Sequence, residues 1–434
     1  MSAMRGRQIP GSQPGQDGPA TRAGREVPGP PTGEDLVLRA QHVSVEYAGR
    51  RPTRAVRDVT IELRRGEVLG IAGESGCGKT TLAYALTRML RPPAGLTGGS
   101  LTFYPSDGAA IDVMALDGED LRQFRWNKIS MVFQSAMNAL NPVSSLARQF
   151  DDIFEAHRPD MDRPARHARA RELLDMVGID PARIHGFAHE LSGGMRQRIM
   201  IAMALALEPE IVIMDEPTTA LDVVVQREIL DEIERLREEL GFSVIFITHD
   251  LSLLLEISDR LAVMYAGEIV EQAPSGLVGT APAHPYTLGL LRSFPDMRSA
   301  RRELRGVPGN PPDLRDDFPG CPFAPRCDYQ FEPCGTVHPV LRPPAGRPLA
   351  DVPVTAGGWG VACHLHDPGY RPAGPPDELA AEPEVPQGGV ESGAPGADSR
   401  AAADGPVTAG GPVTADGAVT ADSTVTADSS GGEQ

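Results

Sequence analysis

The stretch "GESGCGKTT", residues 73–81, decides the fold of this sequence. Its first eight residues match the pattern G-x-x-x-x-G-K-[ST], in which glycines let backbone N–H groups curl around phosphate oxygens. The apolar segment "EVLGIAG" before it predicts a strand, and "TLAYALTRML" after it predicts a helix whose N-terminus favours an anion. We therefore expect a nucleotide here, with Lys79 on its β- and γ-phosphates and the Thr80 hydroxyl on Mg²⁺. The other candidate contacts in the loop are Gly73, Ser75, Gly76, Gly78 and Thr81.

The apolar segment "IVIMDEP", residues 211–217, contains two adjacent acids. A buried strand that ends in Asp-Glu beside a phosphate-binding loop is typical of a Walker B segment. Asp215 would then hold Mg²⁺, and Glu216 would polarise the attacking water. Apolar strands that end in acids are common, so this interpretation depends on the loop at 73–81.

Strand and helix patterns alternate around these two segments. "LVLRAQHVSVEY" (36–47) alternates apolar and polar residues, and "VTIELRRGEVLGIAG" predicts two strands around a turn at Arg65 and Gly66. Apolar residues at 225, 229, 233, 236 and 240 predict an amphipathic helix over 221–240, which the apolar "FSVIFIT" follows. This order predicts an α/β fold with a parallel sheet.

Composition narrows the class of function. The 434 residues carry a net charge of −18, but residues 373–434 alone hold eleven Asp or Glu against one basic residue, Arg400. Since no basic stripe stands out elsewhere, we expect no nucleic-acid partner. No apolar run approaches the length of a membrane span, and the N-terminus lacks the apolar core of a secretory signal, so we expect a cytosolic chain.

The segment "LSGGMRQR", residues 191–198, resembles the signature of ATP-binding cassette (ABC) ATPases. Ser192 suits a helix N-cap, and Gly193 and Gly194 leave backbone N–H groups exposed, which makes this a second phosphate-binding helix terminus. In the family, the signature closes over ATP held by the partner subunit. The resemblance therefore implies a head-to-tail dimer of cassettes with two ATP molecules between them.

Further family motifs follow. Gln134 resembles the Q-loop residue that touches Mg²⁺ and the nucleophilic water, Asp222 resembles the D-loop residue, and His249 resembles the switch histidine that contacts the γ-phosphate. Tyr47 stands where an aromatic side chain usually stacks on adenine. Thr219 departs from the more usual Ser, and we attach no functional consequence to it. Because the Walker B and signature segments are both intact, the resemblance implies an active ATPase.

Beyond the cassette, "HPYTLGLLRSFP" (284–295) and the "MNALNP" after Gln134 resemble ATPases of oligopeptide and dipeptide importers. This implies two separate transmembrane permease subunits, a second ATPase subunit that is identical or paralogous, and, indirectly, an extracytoplasmic solute-binding protein. The chain would lie peripherally on the cytoplasmic face of the membrane. The cargo stays open between peptides, nickel and another small solute. A mainly regulatory or sensor role is the alternative from a different class.

Four of the five cysteines lie outside the nucleotide motifs: Cys321, Cys327, Cys334 and Cys363. In a cytosolic chain, four such cysteines favour a metal site over disulfides. Their spacing lacks the C-x₂-C pairs of many structural zinc sites and does not name the metal. The importer subfamily carries a similar set that holds an iron–sulfur cluster in some members. The resemblance thus implies a [4Fe–4S] cluster, with zinc or free thiols as the alternatives.

These patterns divide the chain into four parts. We expect a disordered tail at 1–34, an ABC ATPase domain at 35–279 with a helical subdomain at about 136–208, an importer-type C-terminal domain at 280–372, and a disordered acidic tail at 373–434. The acidic tail repeats "VTA" every six residues from 407, with too few apolar residues to bury a core. The predicted fold class is an α/β P-loop ATPase cassette, a parallel-sheet core with a helical subdomain, followed by a small, irregular, Cys-rich domain.

Overall fold

The structure is a computed structural model and describes residues 35–134, 139–219, 221–293, 306–344 and 358–380. The predicted tail at 1–34, and the part of the acidic tail from residue 381 that contains the repeats, lie outside these ranges. The first residues of that acidic tail are described, and they include a short helix at Asp377–Ala380 with Leu379 buried.

The described chain contains strands and helices in alternation. The strands are β1 (Leu36–Tyr47), β2 (Thr53–Arg64), β3 (Val68–Ala72), β4 (Ala94–Phe103), β5 (Ile111–Asp112), β6 (Ile129–Val132), β7 (Ile211–Asp215), β8 (Ser243–Ile247), β9 (Arg260–Tyr265), β10 (Glu268–Pro274) and β11 (Gly360–Val361). The helices are α1 (Lys79–Leu86), α2 (Gly118–Asn127), α3 (Leu146–His157), α4 (Arg163–Met176), α5 (Gly193–Ala204), α6 (Val223–Leu240), α7 (Leu251–Ile257), α8 (Ser275–Thr280), α9 (Pro285–Arg292) and α10 (Asp377–Ala380).

The main sheet has seven strands in the order β11-β10-β9-β3-β8-β7-β6. The five strands β9, β3, β8, β7 and β6 run parallel, and β10 and β11 add antiparallel pairs at one edge. The predicted parallel α/β core is therefore confirmed. Because the strands are parallel, the loops that follow β3, β6, β7 and β8 all leave from the same edge of the sheet. That edge carries the candidate site.

A second, antiparallel sheet has the order β2-β1-β4-β5. The alternating pattern of residues 36–47 does form a strand, but its partners are β2 and β4 and not the parallel strands. The chain then turns at Arg65 and Gly66 into β3, as the sequence predicts. The sequence pattern of residues 36–47 could not predict which strands pair with β1, because an alternating strand fits any antiparallel neighbour.

Alternate residues of the parallel strands face two separate cores. Val212 and Met214 of β7 pack in one apolar cluster with the helices α3 to α6, while Ile211 and Ile213 pack in the other with β1 and α1. Side chains on a strand point to opposite faces in turn, so a strand buried on both faces is apolar throughout. This explains why "IVIMD" and "SVIFI" contain no polar alternation.

The helix after the phosphate-binding loop is shorter than the sequence predicts. α1 ends at Leu86, whereas the pattern ran on to residue 90. Arg88 adopts a left-handed backbone with φ of 55°, and its guanidinium donates to the carbonyls of Val113 and Met114. Binding those carbonyls turns the chain out of the helix, which is a tertiary effect that local propensity does not contain.

The C-terminal region contributes directly to the main sheet. Its strand β11 pairs with β10, and the neighbouring Trp359 is fully buried with its indole N–H 3.1 Å from Glu271 Oε1. Glu271 also accepts bonds from the backbone N–H groups of Ala283 and His284. Among the described helices, none is long and apolar enough to cross a bilayer.

Candidate functional site

The phosphate-binding loop connects the end of β3 with α1. Its glycines are required by space as well as by backbone angle: a Cβ on Gly78 would lie 2.1 Å from the Ala55 carbonyl oxygen, and one on Gly73 would lie 2.3 Å from that of Met264. Gly76, with φ of 80°, needs its glycine for conformation only, since open space surrounds it. The exposed loop tip at Ser75 and Gly76 leaves room for a ligand beside the N-terminus of α1.

Lys79 is buried and points back over its own loop. Its Nζ donates to the carbonyl oxygens of Gly73 at 2.7 Å and Glu74 at 2.9 Å. An ammonium is a compact point charge with three donors, so it can exchange such carbonyl partners for phosphate oxygens with small movements. On the same helix, Thr81 lies 3.1 Å from the Tyr47 hydroxyl, which places the predicted adenine-stacking residue next to the loop.

Asp215 ends β7 with its carboxylate buried beside the loop. The side chain is 1% exposed, and neither carboxylate oxygen makes a well-formed hydrogen bond within the described residues. Burial raises the pKa of Asp215 and the charge of Glu216 adds to the shift, while the nearby Thr80 hydroxyl and Lys79 oppose it. A buried carboxylate without donors is costly unless a cation accompanies it. The donor set of Asp215 and Thr80 therefore fits a divalent ion such as Mg²⁺.

Two predicted site residues, Gln134 and His249, converge on Glu216 together with Thr219. The Glu216 carboxylate accepts a bond from Gln134 Nε2 at 2.8 Å and one from the Thr219 hydroxyl at 3.0 Å, and His249 Nδ1 lies 3.3 Å from it. The Glu216 backbone has φ of 47°, a left-handed conformation that is strained outside glycine. Its N–H donates to the Ile247 carbonyl on β8, which holds this conformation in place.

The loops after β6, β7 and β8 supply Gln134, Glu216 and His249, so the parallel sheet itself creates this cluster. Thr219, to which we attached no consequence, contacts the candidate base directly. The sequence signal for Thr219 was its position three residues after Glu216, within reach of a one-turn contact. A hydroxyl is present at that position in both Thr and the more usual Ser.

The signature segment lies apart from the phosphate-binding loop. The Ser192 side chain caps α5 by accepting from the Met195 N–H, and a Cβ on Gly194 would lie 2.6 Å from Val225 Cγ1 of α6. Within the described residues, no hydrogen bond or ion pair links residues 192–194 to residues 73–81. The structure thus brings together the predicted nucleotide-binding elements, with two exceptions. These are the signature segment and the Asp222 segment.

Asp222 acts as the N-cap of α6. Its carboxylate accepts the backbone N–H groups of Val224 and Val225 at 3.1 and 3.0 Å. The first two residues of the helix, Val223 and Val224, are 81% and 69% exposed. Two adjacent, largely exposed valines beside a signature helix form an apolar surface that no other described part of the chain covers.

Sequence reasoning missed a contact between the phosphate-binding loop and the C-terminal region. The Glu74 carboxylate accepts two bonds from Arg326, at 2.6 and 2.9 Å, and its N–H donates to the Tyr286 hydroxyl at 2.8 Å. Position 74 is an unrestricted "x" of the loop pattern, so the pattern carried no signal for it. Arg326 did carry one: it is the sole charged side chain in "CPFAPRC", a segment otherwise built to be buried.

The four C-terminal cysteines line one small cavity, and none of them forms a disulfide. Backbone N–H groups of Phe323, Tyr329 and Leu365 approach the sulfurs of Cys321, Cys327 and Cys363 respectively. Burial raises the pKa of Cys321 to about 12 and that of Cys327 to about 11. Within the described residues, no three His, Cys, Asp or Glu side chains converge closely enough to hold a metal ion.

The fold and the site together define a P-loop ATPase cassette. One edge of a parallel sheet carries a phosphate-binding loop, a carboxylate pair and a glutamine–histidine pair around the second carboxylate. The ABC transporter family profile matches residues 56–219, and a profile for the C-terminal region of oligopeptide/dipeptide transporters matches residues 270–334. This chain belongs to the ABC transporter family, as an ATP-binding and ATP-hydrolysing subunit.

Relatives span most of the described chain. A peptide import ATP-binding protein of Brucella melitensis is 44% identical over 296 residues, covering 66% of this chain and 87% of the relative. A peptide ABC transporter ATP-binding protein of Sinorhizobium fredii is 42% identical over 312 residues, covering 71% and 91%. Among solved structures, the dimeric ATP-binding cassette MJ0796 with ADP and phosphate aligns with a TM-score of 0.48 and 28% identity, over 55% of this chain and 98% of that chain.

Proposed function

We propose that this chain is the ATPase subunit of an ABC importer for dipeptides or oligopeptides. The contacts of Glu216 with Gln134 and His249 carry the enzymatic half of the proposal. The match of residues 270–334 to the oligopeptide/dipeptide transporter region, and the names of the relatives, support peptides as cargo. The domain limits at 35–279 and 280–372 are part of this proposal.

The site residues would act as follows. Backbone N–H groups of residues 73–81 and the Lys79 ammonium bind the ATP phosphates, and Asp215 and Thr80 hold Mg²⁺. Mg²⁺, when bound, neutralises charge that develops on the β- and γ-phosphate oxygens. Glu216 accepts the hydrogen bond of the attacking water. Gln134 and His249, whose side chains lie 2.8 and 3.3 Å from the Glu216 carboxylate, would contact the same water and the γ-phosphate.

The second ATPase subunit would complete the site. Residues 192–194 present helix N-terminal amides that the chain's own loop does not use, which supports a partner's nucleotide as their ligand. The exposed Val223 and Val224, beside Asp222, supply apolar area for the same contact. The partner is an identical chain or a paralogue, and the two arrangements place the same residues at the interface.

Permease subunits would dock beside the Q-loop. A cavity of about 250 Å³ is lined by Trp126, Phe133 and His157, among others, and Phe133 directly precedes Gln134. Val143, ten residues further along, is 85% exposed. An apolar cavity and an exposed valine next to a catalytic glutamine support this face as the contact with two transmembrane subunits, which would hold the chain peripherally at the cytoplasmic face of the membrane. The solute-binding protein would act through those permeases.

The cysteine cavity is proposed to hold a [4Fe–4S] cluster. Four thiols around one cavity, three of them approached by backbone N–H groups, are the donor chemistry that such clusters use. Anaerobic purification followed by iron, sulfide and zinc analysis tests this. If the metal analysis finds one equivalent of zinc and no iron, the cavity is a structural zinc site and the cluster proposal is wrong.

Transport is tested in the host by deleting the gene for this chain. We expect the wild-type gene to restore uptake of labelled di- and oligopeptides and Glu216→Gln to fail, with hydrolysis lowered about 100-fold or more and ATP binding retained. Glu239→Gln, an exposed acid on α6, is the matched control and should restore uptake. Restoration of nickel uptake alone would move the assignment to a metal importer. Uptake that is unaffected by the deletion would favour the regulatory role.

A further inference from the structure

Glu74 connects the phosphate-binding loop to the C-terminal region through its N–H and its carboxylate, while its carbonyl bonds within the loop. Its N–H donates to the Tyr286 hydroxyl, its carbonyl accepts from Lys79 Nζ, and its carboxylate accepts both bonds of the Arg326 fork. One of the two carbonyls that hold Lys79 therefore belongs to a residue that is itself held from outside the cassette. A change at Arg326 reaches Lys79 through one residue.

Arg326 is built into its position. It is 8% exposed, its Nε donates to the Pro308 carbonyl at 2.6 Å, and its guanidinium lies 5.7 Å from the centre of the Tyr265 ring. A planar guanidinium that meets a carboxylate with two parallel bonds fixes both distance and angle. Lysine at this position would keep the charge and lose the fork.

Arg326 lies in the same short turn as residues that line the cysteine cavity. It closes the 3₁₀ turn Ala324–Arg326, which lies between Cys321 and Cys327. Phe323, Ala324 and Cys327 line the cavity, and the Arg326 N–H donates to the Phe323 carbonyl at 2.9 Å. The guanidinium that holds Glu74 and the wall that faces the thiols are thus parts of the same short turn.

We propose that Arg326 is a positioning residue for the phosphate-binding loop, and that ligand binding by the four cysteine thiols sets the affinity of the cassette for ATP through the 324–326 turn. A ligand bound by the thiols fixes the 324–326 turn. Arg326 in that turn then holds the Glu74 carboxylate, and the Glu74 carbonyl orients Lys79. This inference rests on the ATP-binding part of the proposed function and is independent of the cargo. It assigns the cysteine region a regulatory role in the ATPase.

The first test measures ATP affinity of the full-length protein by calorimetry, together with KM and kcat for hydrolysis. Arg326→Met and Glu74→Gln should each raise Kd and KM about tenfold, because Lys79 loses its orientation. For Arg326→Met, which lies outside the loop, kcat at saturating ATP should fall by a smaller factor than KM rises, since Gln134, Glu216 and His249 are untouched. The double variant should bind no more weakly than the weaker single variant. Arg315→Met, which removes an exposed arginine paired with Asp313 in the same region, is the matched control.

Arg326→Lys gives the same test with the charge and most of the side-chain volume kept. It should bind ATP with an affinity between wild type and Arg326→Met. Wild-type affinity and KM in Arg326→Lys and Glu74→Gln would overturn the positioning role. A wild-type protein that does not bind ATP would overturn both this inference and the proposed function, so the two failures are distinguishable.

The second test asks whether the cysteine cavity acts through Arg326. Cys363→Ser, which changes a lining residue far in sequence from the 324–326 turn, should weaken ATP binding about fivefold in the wild-type background. In the Arg326→Met background the same change should have an effect of less than about twofold, because the connection is already lost. Equal losses in the two backgrounds, or no loss in either, would overturn the coupling.

Discussion

His284 is a buried side chain that the fold keeps neutral. Its Nδ1 accepts the Tyr286 N–H at 3.0 Å and so caps α9, and its ring packs at a tilt against Phe323, with 5.8 Å between the ring centres. Burial, together with the charge of His366 beside it, lowers the pKa of His284 to about 3 against an opposing hydrogen bond with the Ala362 backbone. The unfolded chain has no such constraint, so His284 would take up a proton there near pH 6.5.

The stability of the protein should therefore fall as pH drops below about 6.5, because the unfolded state binds a proton that the folded state excludes. Between pH 6.5 and 5, the contribution of His284 is about 2 kcal/mol. His284→Asn keeps a good N-cap acceptor and removes the titration. In urea unfolding, wild type should lose about 2 kcal/mol more than His284→Asn on acidification to pH 5. Equal losses would contradict a neutral His284.

Residues of the site differ in how far the sequence could reveal them. Lys79 stands in a local motif, and Glu216 and His249 follow apolar strands whose order in a parallel sheet places them at one edge. Glu74 and Arg326 are 252 positions apart, and nothing in either local pattern names the other. Pairing over such a distance depends on how the C-terminal region folds back, which is a property of packing and not of period or propensity.

Among the elements, the close approach of α5 and α6 depends on one glycine. A Cβ on Gly194 would lie 2.6 Å from Val225 Cγ1, which no relaxed side chain tolerates. Gly→Ala inside a helix usually stabilises by about 0.5–1 kcal/mol, because glycine has the larger entropy loss on folding. At Gly194, overpacking should reverse that sign.

We expect Gly194→Ala to destabilise the protein by about 1–3 kcal/mol, as overpacked cores do. Val225→Ala in the same chain should recover a large part of that loss, giving a coupling energy of about 1 kcal/mol or more in a double-mutant cycle by chemical unfolding. Gly276→Ala in α8 is the control, since no atom lies within 4 Å of the Cβ it would add. Additive effects of the two substitutions would mean that α5 and α6 do not meet at this point.

Element boundaries were predictable where the signal was local. β1 spans residues 36–47 as its alternation predicts, and α6 begins at the residue after Asp222, whose side chain caps it. The end of α1 was not predictable, because Arg88 leaves the helix to bind carbonyls of a distant segment. β11 has two residues and no pattern, and its hydrogen bonds come from distant segments, the edge of β10 on one side and Arg342 on the other.

At the scale of the whole molecule, the cassette and the C-terminal region share one core. Trp359, Tyr286 and Phe323 pack in the same apolar cluster as the strands and helices of the cassette. Glu271 of β10 accepts bonds from Trp359, Ala283 and His284, and Arg326 reaches the phosphate-binding loop. A division of the chain near residue 279 follows composition, but the hydrogen bonds of the described residues cross that point repeatedly. The two parts should therefore unfold together.

Trp359→Ala tests this cooperativity. The substitution removes a fully buried indole and one donor to Glu271, so we expect a loss of about 3–5 kcal/mol in the free energy of unfolding. The chain has two tryptophans, and the other, Trp126, lies in the cassette at the C-terminal end of α2. Trp126 fluorescence should report an earlier denaturant midpoint in the variant, with an unchanged m-value. Trp359→Phe keeps an aromatic ring and loses the indole donor, so its denaturant midpoint should lie between those of wild type and Trp359→Ala. A Trp126 transition that stays at the wild-type midpoint would show that the C-terminal region unfolds by itself. In that case the C-terminal region does not stabilise the cassette.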